Sequence, residues 1–153
     1  MIVGEWINGE AGLEEALSVR ASVFGAAGGR DENDAYAMHC VMSDSDTGAV
    51  VGTGRIRLSG AKFCIDRICV LPEYRGQYVG DLMTRLMLYR ASQFAGEVRL
   101  VSPAEVAGFF ARYGFAAEGE EEGGVAMRVL KEGIRFPSKC GRDEAQTLIG
   151  GEE

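Results

Sequence analysis

The chain has 153 residues and a mass of 16.4 kDa, which suits one domain with a real core and is too short for two full ones. Its 16 basic and 23 acidic side chains leave a net charge of −7, so capture of nucleic acid or of an anionic membrane by charge is not expected. There is a single histidine, His39, which excludes a metal centre built on several histidines, and no metal site is expected.

The four cysteines, Cys40, Cys64, Cys69 and Cys140, contain no C-x-x-C pair, so a zinc ribbon or a thioredoxin-type redox pair finds no support. The first residues carry acids and no apolar signal region, and no apolar run approaches the roughly 18 residues of a membrane span. Reduced thiols in a cytoplasm are the expectation. Glycine is unusually abundant, at 22 residues, which asks for close backbone approaches or special turns.

Residues 1–7 read as a first strand. Leu13, Leu17, Ala21 and Phe24 then recur at helical spacing, and the Gly28-Gly29 pair ends that helix. An acidic loop, 30–34, follows. Residues 35–42 and 49–58 read as two strands of a hairpin around the turn-rich 43–48. The strongest strand signal is 62–71, stopped by Pro72. Val79, Leu82, Met83, Leu86, Met87, Arg90 and Phe94 outline a long amphipathic helix. Residues 97–101 form a strand. Ser102, Pro103 and Glu105 have the spacing of a helix cap, and Val106, Phe109, Phe110 and Tyr113 form an apolar stripe that ends at Gly114. Residues 115–118 and 124–130 read as a last hairpin. Residues 131–153 lose periodicity and read as a surface extension or as a frayed, partly disordered tail. The order β-α-β-β-β-α-β-α-β-β implies an α/β fold: a mixed sheet of about six to seven strands with helices on both faces.

The chemistry concentrates in the strand 62–71, the loop PEYRGQYVG at 72–80 and the helix after it. The first amides of a helix lack intrahelical partners, and the helix dipole adds positive charge there, so such a junction suits phosphate. Gly76 and Gly80 let the backbone approach a ligand, and Arg75 adds charge. A turn whose glycines serve geometry alone fits the same residues equally well. The loop is not a Walker sequence, and Gly52-x-Gly54 lies inside a strand and lacks a third glycine.

The segment IDRICVLPEYRGQYVGDLMTRLM resembles motif A of the GNAT superfamily of N-acetyltransferases, with consensus Gln/Arg-x-x-Gly-x-Gly/Ala. Arg75 matches its first position and Gly80 its last, whereas Tyr78 stands at the inner glycine. FFARYGF (109–115) is similar to the family's FYxxxGF segment. DENDAYAMH (31–39) followed by GTGRIRL (52–58) resembles a subgroup of small bacterial GNAT proteins. The resemblance covers residues 1–130 and implies the GNAT fold for that stretch, with 131–153 as a C-terminal extension. It implies acetyl-CoA as co-substrate, with its pyrophosphate on the amides of Arg75, Gly76, Gln77, Tyr78, Val79 and Gly80. It places the pantetheine arm along the backbone of Ile68, Cys69 and Val70, and beside Phe110. A homodimer is the family habit.

In this family an amine attacks the thioester directly. Many members protonate the leaving thiolate from a tyrosine at the position of Phe110, whose phenyl ring has no proton to give. Tyr113 is a substitute acid or a core aromatic. Asp66 is a general base or a structural partner of Arg55 or Arg67. His39 reads as packed rather than catalytic. Three functions follow: acetyl transfer to the primary amine of a small molecule, transfer of longer acyl groups as in acyl-homoserine-lactone synthases, which Arg20, Phe24, Asp31 and Asp34 faintly resemble, or non-catalytic sensing of acyl-CoA.

Overall fold

The computed structural model describes residues 1–138. Seven strands make one sheet: β1 (Ile2–Asn8), β2 (Met38–Asp44), β3 (Val50–Ser59), β4 (Lys62–Val70), β5 (Glu97–Ser102), β6 (Ala116–Glu121) and β7 (Gly124–Leu130). The spatial order is β1-β2-β3-β4-β5-β7-β6. Every pairing is antiparallel except β4 with β5, so the sheet is mixed. The helices are α1 (Glu14–Phe24), α2 (Val79–Ser92) and α3 (Ala107–Ala111).

Alternation along β3 assigns the two faces. Gly54 looks toward α2, where an added Cβ would sit 2.7 Å from the Met87 sulfur. The next residue, Arg55, reaches the opposite face and meets Asp34, which also binds Arg20 of α1. Helices therefore cover both faces. Gly52 and Gly54 explain part of the glycine excess: they let α2 settle onto the sheet. Met83, Met87 and Leu88 of α2 are fully buried in the main core with Ile56, Ile65 and Val98. Each such side chain contributes about 1.5–3 kcal/mol by leaving water.

Three sequence expectations are corrected. The second strand starts at Met38, not 35, because Asp34–Tyr36 closes a 3-10 turn first. Ser102 does not cap a helix. It is still strand, paired with Val125, and its hydroxyl donates to the Pro103 carbonyl. A 3-10 turn, Ala104–Val106, intervenes, and α3 has only five residues. The long helix α2 closes at Ser92, leaving Phe94 outside it. The described part of the C-terminal extension is tied to the domain. Ile134 packs on the core, the Arg135 amide donates to the Tyr113 carbonyl at 2.9 Å, and Arg85 donates to the Pro137 carbonyl. Residues 139–153, with Cys140, lie outside the described residues.

Candidate active site

β4 and β5 pair only at Phe63 with Val98 and Cys64 with Arg99. Beyond Cys64 they diverge, and the cause is local. Thr53 of β3 faces Cys69 and Arg55 faces Asp66, so two steps on β3 match three on β4. The extra residue is a β-bulge, and Arg67 takes a left-handed conformation there, with φ +54°. A bulge bends and twists its strand, which here opens β4 away from β5. For an arginine this conformation costs about 1–2 kcal/mol. The Arg67 side chain offsets it by donating to the Ala27 carbonyl and to Asp31 at 3.0 Å.

The divergence makes a slot of about 680 Å³ that passes between the strands. Phe24 and Ala27 border it on the α1 face; Val106 and Phe110 border it on the α3 face. Ile65, Ile68 and Leu100 form apolar walls, and Asp66, Arg67 and Glu122 are its charged groups. Along Ile68, Cys69 and Val70, β4 has no strand beside it on the β5 side, which is the arrangement an extended ligand needs to pair as a short extra strand.

At the end of β4 the chain turns through a 3-10 turn, Pro72–Tyr74, into the loop before α2. The Arg75 side chain donates from Nε to the Val70 carbonyl at 3.0 Å and ties the loop to the strand. Gly76 has φ +81°. Tyr78 is the residue preceding α2, and it too is left-handed, with φ +68°. The inner glycine of the resembled motif falls on a position that glycine adopts without strain, and Tyr78 adopts it regardless. Val79 and Gly80 are buried, so the loop is not collapsed outward. Asp81, in the first turn of α2, turns away from the loop: it accepts hydrogen bonds from Arg85 at 2.9 Å and from the Tyr113 hydroxyl. The junction therefore keeps its positive helix end for an anion, and its residues fit a phosphate group.

Tyr113 is fully buried in the aromatic cluster with Phe109 and Phe110 and does not reach the slot. Burial first, then the hydrogen bond to Asp81 and its charge, push its pKa far above the ordinary tyrosine range. As an acid for a leaving thiolate it is misplaced, because its proton is committed to Asp81 inside the core. Phe110 does reach the slot, as an apolar wall.

Asp66 also lines the slot. Both its oxygens accept from guanidiniums: Arg55 at 2.8 and 2.9 Å and Arg57 at 2.9 Å. Arg55 continues to Asp31 at 2.6 Å and to Asp34 at 2.9 Å, and Asp34 binds Arg20 at 2.8 Å. Arg20 and Asp34 are thus a structural brace under the slot rather than substrate contacts. Burial alone would raise the pKa of Asp34, but hydrogen bonds from Arg20, the Asp31 amide and Arg55 outweigh it and hold the carboxyl well below its usual range. His39 is buried, with Nε2 3.1 Å from the Asp34 carbonyl oxygen. Burial lowers its pKa and keeps it neutral. Burial likewise pushes the Cys40 thiol up to about 12, which makes it inert.

The sequence pointed to Asp66, Ile68, Phe110 and the 75–80 loop. It missed Arg67, Leu100 and the β6–β7 turn at Glu122 as slot residues, and offered Phe24 only through the faint likeness to acyl-homoserine-lactone synthases. Nothing local signals a left-handed arginine, and the turn reaches the slot only because Gly124, at φ +141°, lies against the Ser102 carbonyl, where a Cβ would come within 2.0 Å.

Residues 35–117 match the acetyltransferase (GNAT) domain family. YyaT, an uncharacterized protein of Bacillus subtilis, is 29% identical over 126 residues, covering 75% of this chain and 83% of YyaT. An acyl-CoA N-acyltransferase from Pseudomonas aeruginosa superposes with a TM-score of 0.73 at 20% identity, over 84% of this chain and 99% of that one. A PaiA N-acetyltransferase from Thermoplasma acidophilum, solved in complex with coenzyme A, gives a TM-score of 0.64 at 14% identity, again over 84% and 99%. With the bulged β4, the slot beside it and a family match spanning the middle of the chain, this protein belongs to the GNAT acetyltransferase family.

Proposed function

We propose that the protein transfers an acetyl group from acetyl-CoA to the primary amine of a small molecule by direct attack. The slot opened between β4 and β5 by the bulge at Arg67 carries this reading, because it lies against β4 just before that strand runs into the loop at 75–80 and is bordered by side chains from both faces of the sheet. Acetyl-CoA, when bound, supplies the acyl group already activated as a thioester. The amides of residues 76–80 and the end of α2 suit its diphosphate, with Arg75 fixing the loop. The β5-facing edge of β4 at Ile68–Val70, with no strand beside it, suits the amides of the pantetheine arm. Phe110 and Ile65 keep water from the reacting centre.

The amine nitrogen bonds to the acyl carbon, the carbon–sulfur bond breaks, and one proton passes from nitrogen to the solvent while sulfur departs as thiolate. Thiols are acidic enough to leave without a dedicated donor, which is consistent with Phe110 in place of a tyrosine. Asp66 is the one carboxylate on the β4 side of the slot; its engagement by Arg55 and Arg57 favours bracing over proton abstraction. Release of free thiol from acetyl-CoA against a panel of amines tests the proposal. Amine-dependent release supports it. Stabilisation by acetyl-CoA without release from any amine leaves a sensor, and no stabilisation at millimolar ligand rejects both.

A further inference from the structure

We propose that Arg57 selects the acceptor, and that the amine substrate carries a carboxylate held by the Arg57 guanidinium: an amino acid or a related amino-carboxylate. The inference rests on the acyl-transfer reading above and names the class of its acceptor.

A second depression, of about 340 Å³, adjoins the slot and shares Ile65, Asp66, Leu100 and Val101 with it. Arg57, Cys64 and Arg99 lie across its floor on adjacent strands, since Arg57 faces Cys64 and Cys64 faces Arg99. Five arginines belong to this face and its rim, and four of them each meet two or more acceptor groups. Arg55 spends its guanidinium on Asp31, Asp34 and Asp66. Arg67 binds Asp31 and the Ala27 carbonyl. Arg99 and Arg128 are each shared between Glu97 and Glu118.

Arg57 differs. Its Nε donates to Asp66 at 2.9 Å, and its two terminal amino groups meet no acceptor among the described residues. The side chain is 34% exposed, so a ligand can reach it. It is also held in place, because Asp66 is itself fixed by two hydrogen bonds from Arg55. A guanidinium braced through Nε and open at its other two nitrogens presents a parallel pair of donors, the geometry that a carboxylate accepts bidentately. The opposite rim carries Glu121 and Glu122. Those acids attract the ammonium end of the same molecule and oppose a second carboxylate. Positive floor and negative rim together match a zwitterion.

The test is a thiol-release assay on glycine, leucine, lysine, 4-aminobutyrate and 6-aminohexanoate, each beside its carboxamide, with wild type, Arg57→Gln and Arg57→Lys. The aminoalkanoates vary the spacing between amine and carboxylate. The proposal expects at least one acid to exceed its carboxamide tenfold or more in kcat/KM. In Arg57→Gln that preference falls to near one, through KM more than kcat, and Arg57→Lys restores part of it. The shift in unfolding temperature produced by coenzyme A checks that each variant is folded. Equal use of acids and carboxamides by wild type overturns the proposal, as does an acid preference that survives Arg57→Gln. Turnover of none of the acids by a protein that binds coenzyme A and acetylates other amines also overturns it, while leaving acetyl transfer intact. Absence of both coenzyme A binding and turnover overturns the acyl-transfer reading instead.

Discussion

Replacing Asp34 by Asn removes one charge from the centre of the brace beneath the slot. Asp34 is fully buried and accepts from Arg20 at 2.8 Å, from Arg55 at 2.9 Å and from the Asp31 amide at 2.8 Å. Asparagine keeps the volume and one acceptor oxygen, but among the described residues it leaves buried Arg20 with no carboxylate and Arg55 with only Asp31 and Asp66. Breaking a buried ion pair by removing one partner costs about 3–5 kcal/mol. The retained oxygen puts Asp34→Asn near the lower end. For a chain of this size each kcal/mol moves the melting temperature by roughly 2–4 °C, so a fall of about 6–12 °C is expected. Thermal unfolding followed by circular dichroism at pH 7 measures the fall, and urea unfolding gives the free energy, with the slope in denaturant unchanged. The pH dependence supplies a second check. Because the folded carboxyl titrates below its unfolded value near 3.9, its contribution is complete above that value and is lost as the pH falls below it. The gap between wild type and Asp34→Asn should therefore narrow below about pH 4. A loss under about 1 kcal/mol at pH 7, or a gap that widens in acid, would refute the brace.

Tyr113→Phe removes the hydroxyl that Asp81 accepts; it should cost about 1 kcal/mol of stability and change amine-dependent thiol release less than about threefold, whereas a drop of about a hundredfold would make Tyr113 the acid after all. Gly124→Ala should destabilise by about 2 kcal/mol or more in urea unfolding, because its Cβ collides with the Ser102 carbonyl. His39 stays neutral when folded because burial depresses its pKa. The unfolded chain binds that proton first, so stability should decline as the pH falls below about 6.5, and His39→Gln should flatten that part of the profile.

Much of the fold was legible because it is written in local periodicity. The apolar run 62–71 could only be a strand, and Val79, Met83 and Met87 at helical spacing could only line one face of a helix. The helix-end loop at 75–80 was legible for a related reason: its glycines and its place between strand and helix are adjacent in the chain. The expectation of a capping box at Ser102 failed because a neighbouring strand outweighed a local preference. Pairing with Val125 holds Ser102 in β5, and the helix starts only after the next turn. Tyr113 shared the helical stripe of Phe110, and only packing revealed that one ring walls the slot while the other is sealed against Asp81.

The amino-acid order alone determined the elements, their sequence and the anion-suited junction, since each depends on residues within a few positions of one another. The tertiary structure decided the site. The bulge at Arg67 depends on how β3 registers against β4, and the brace joins Arg20, Asp34, Arg55 and Asp66 from four separate elements. The open fork of Arg57 exists only because every neighbouring guanidinium has already found its carboxylate. Such pairings are settled by distances across the sheet, and no spacing along the chain encodes them.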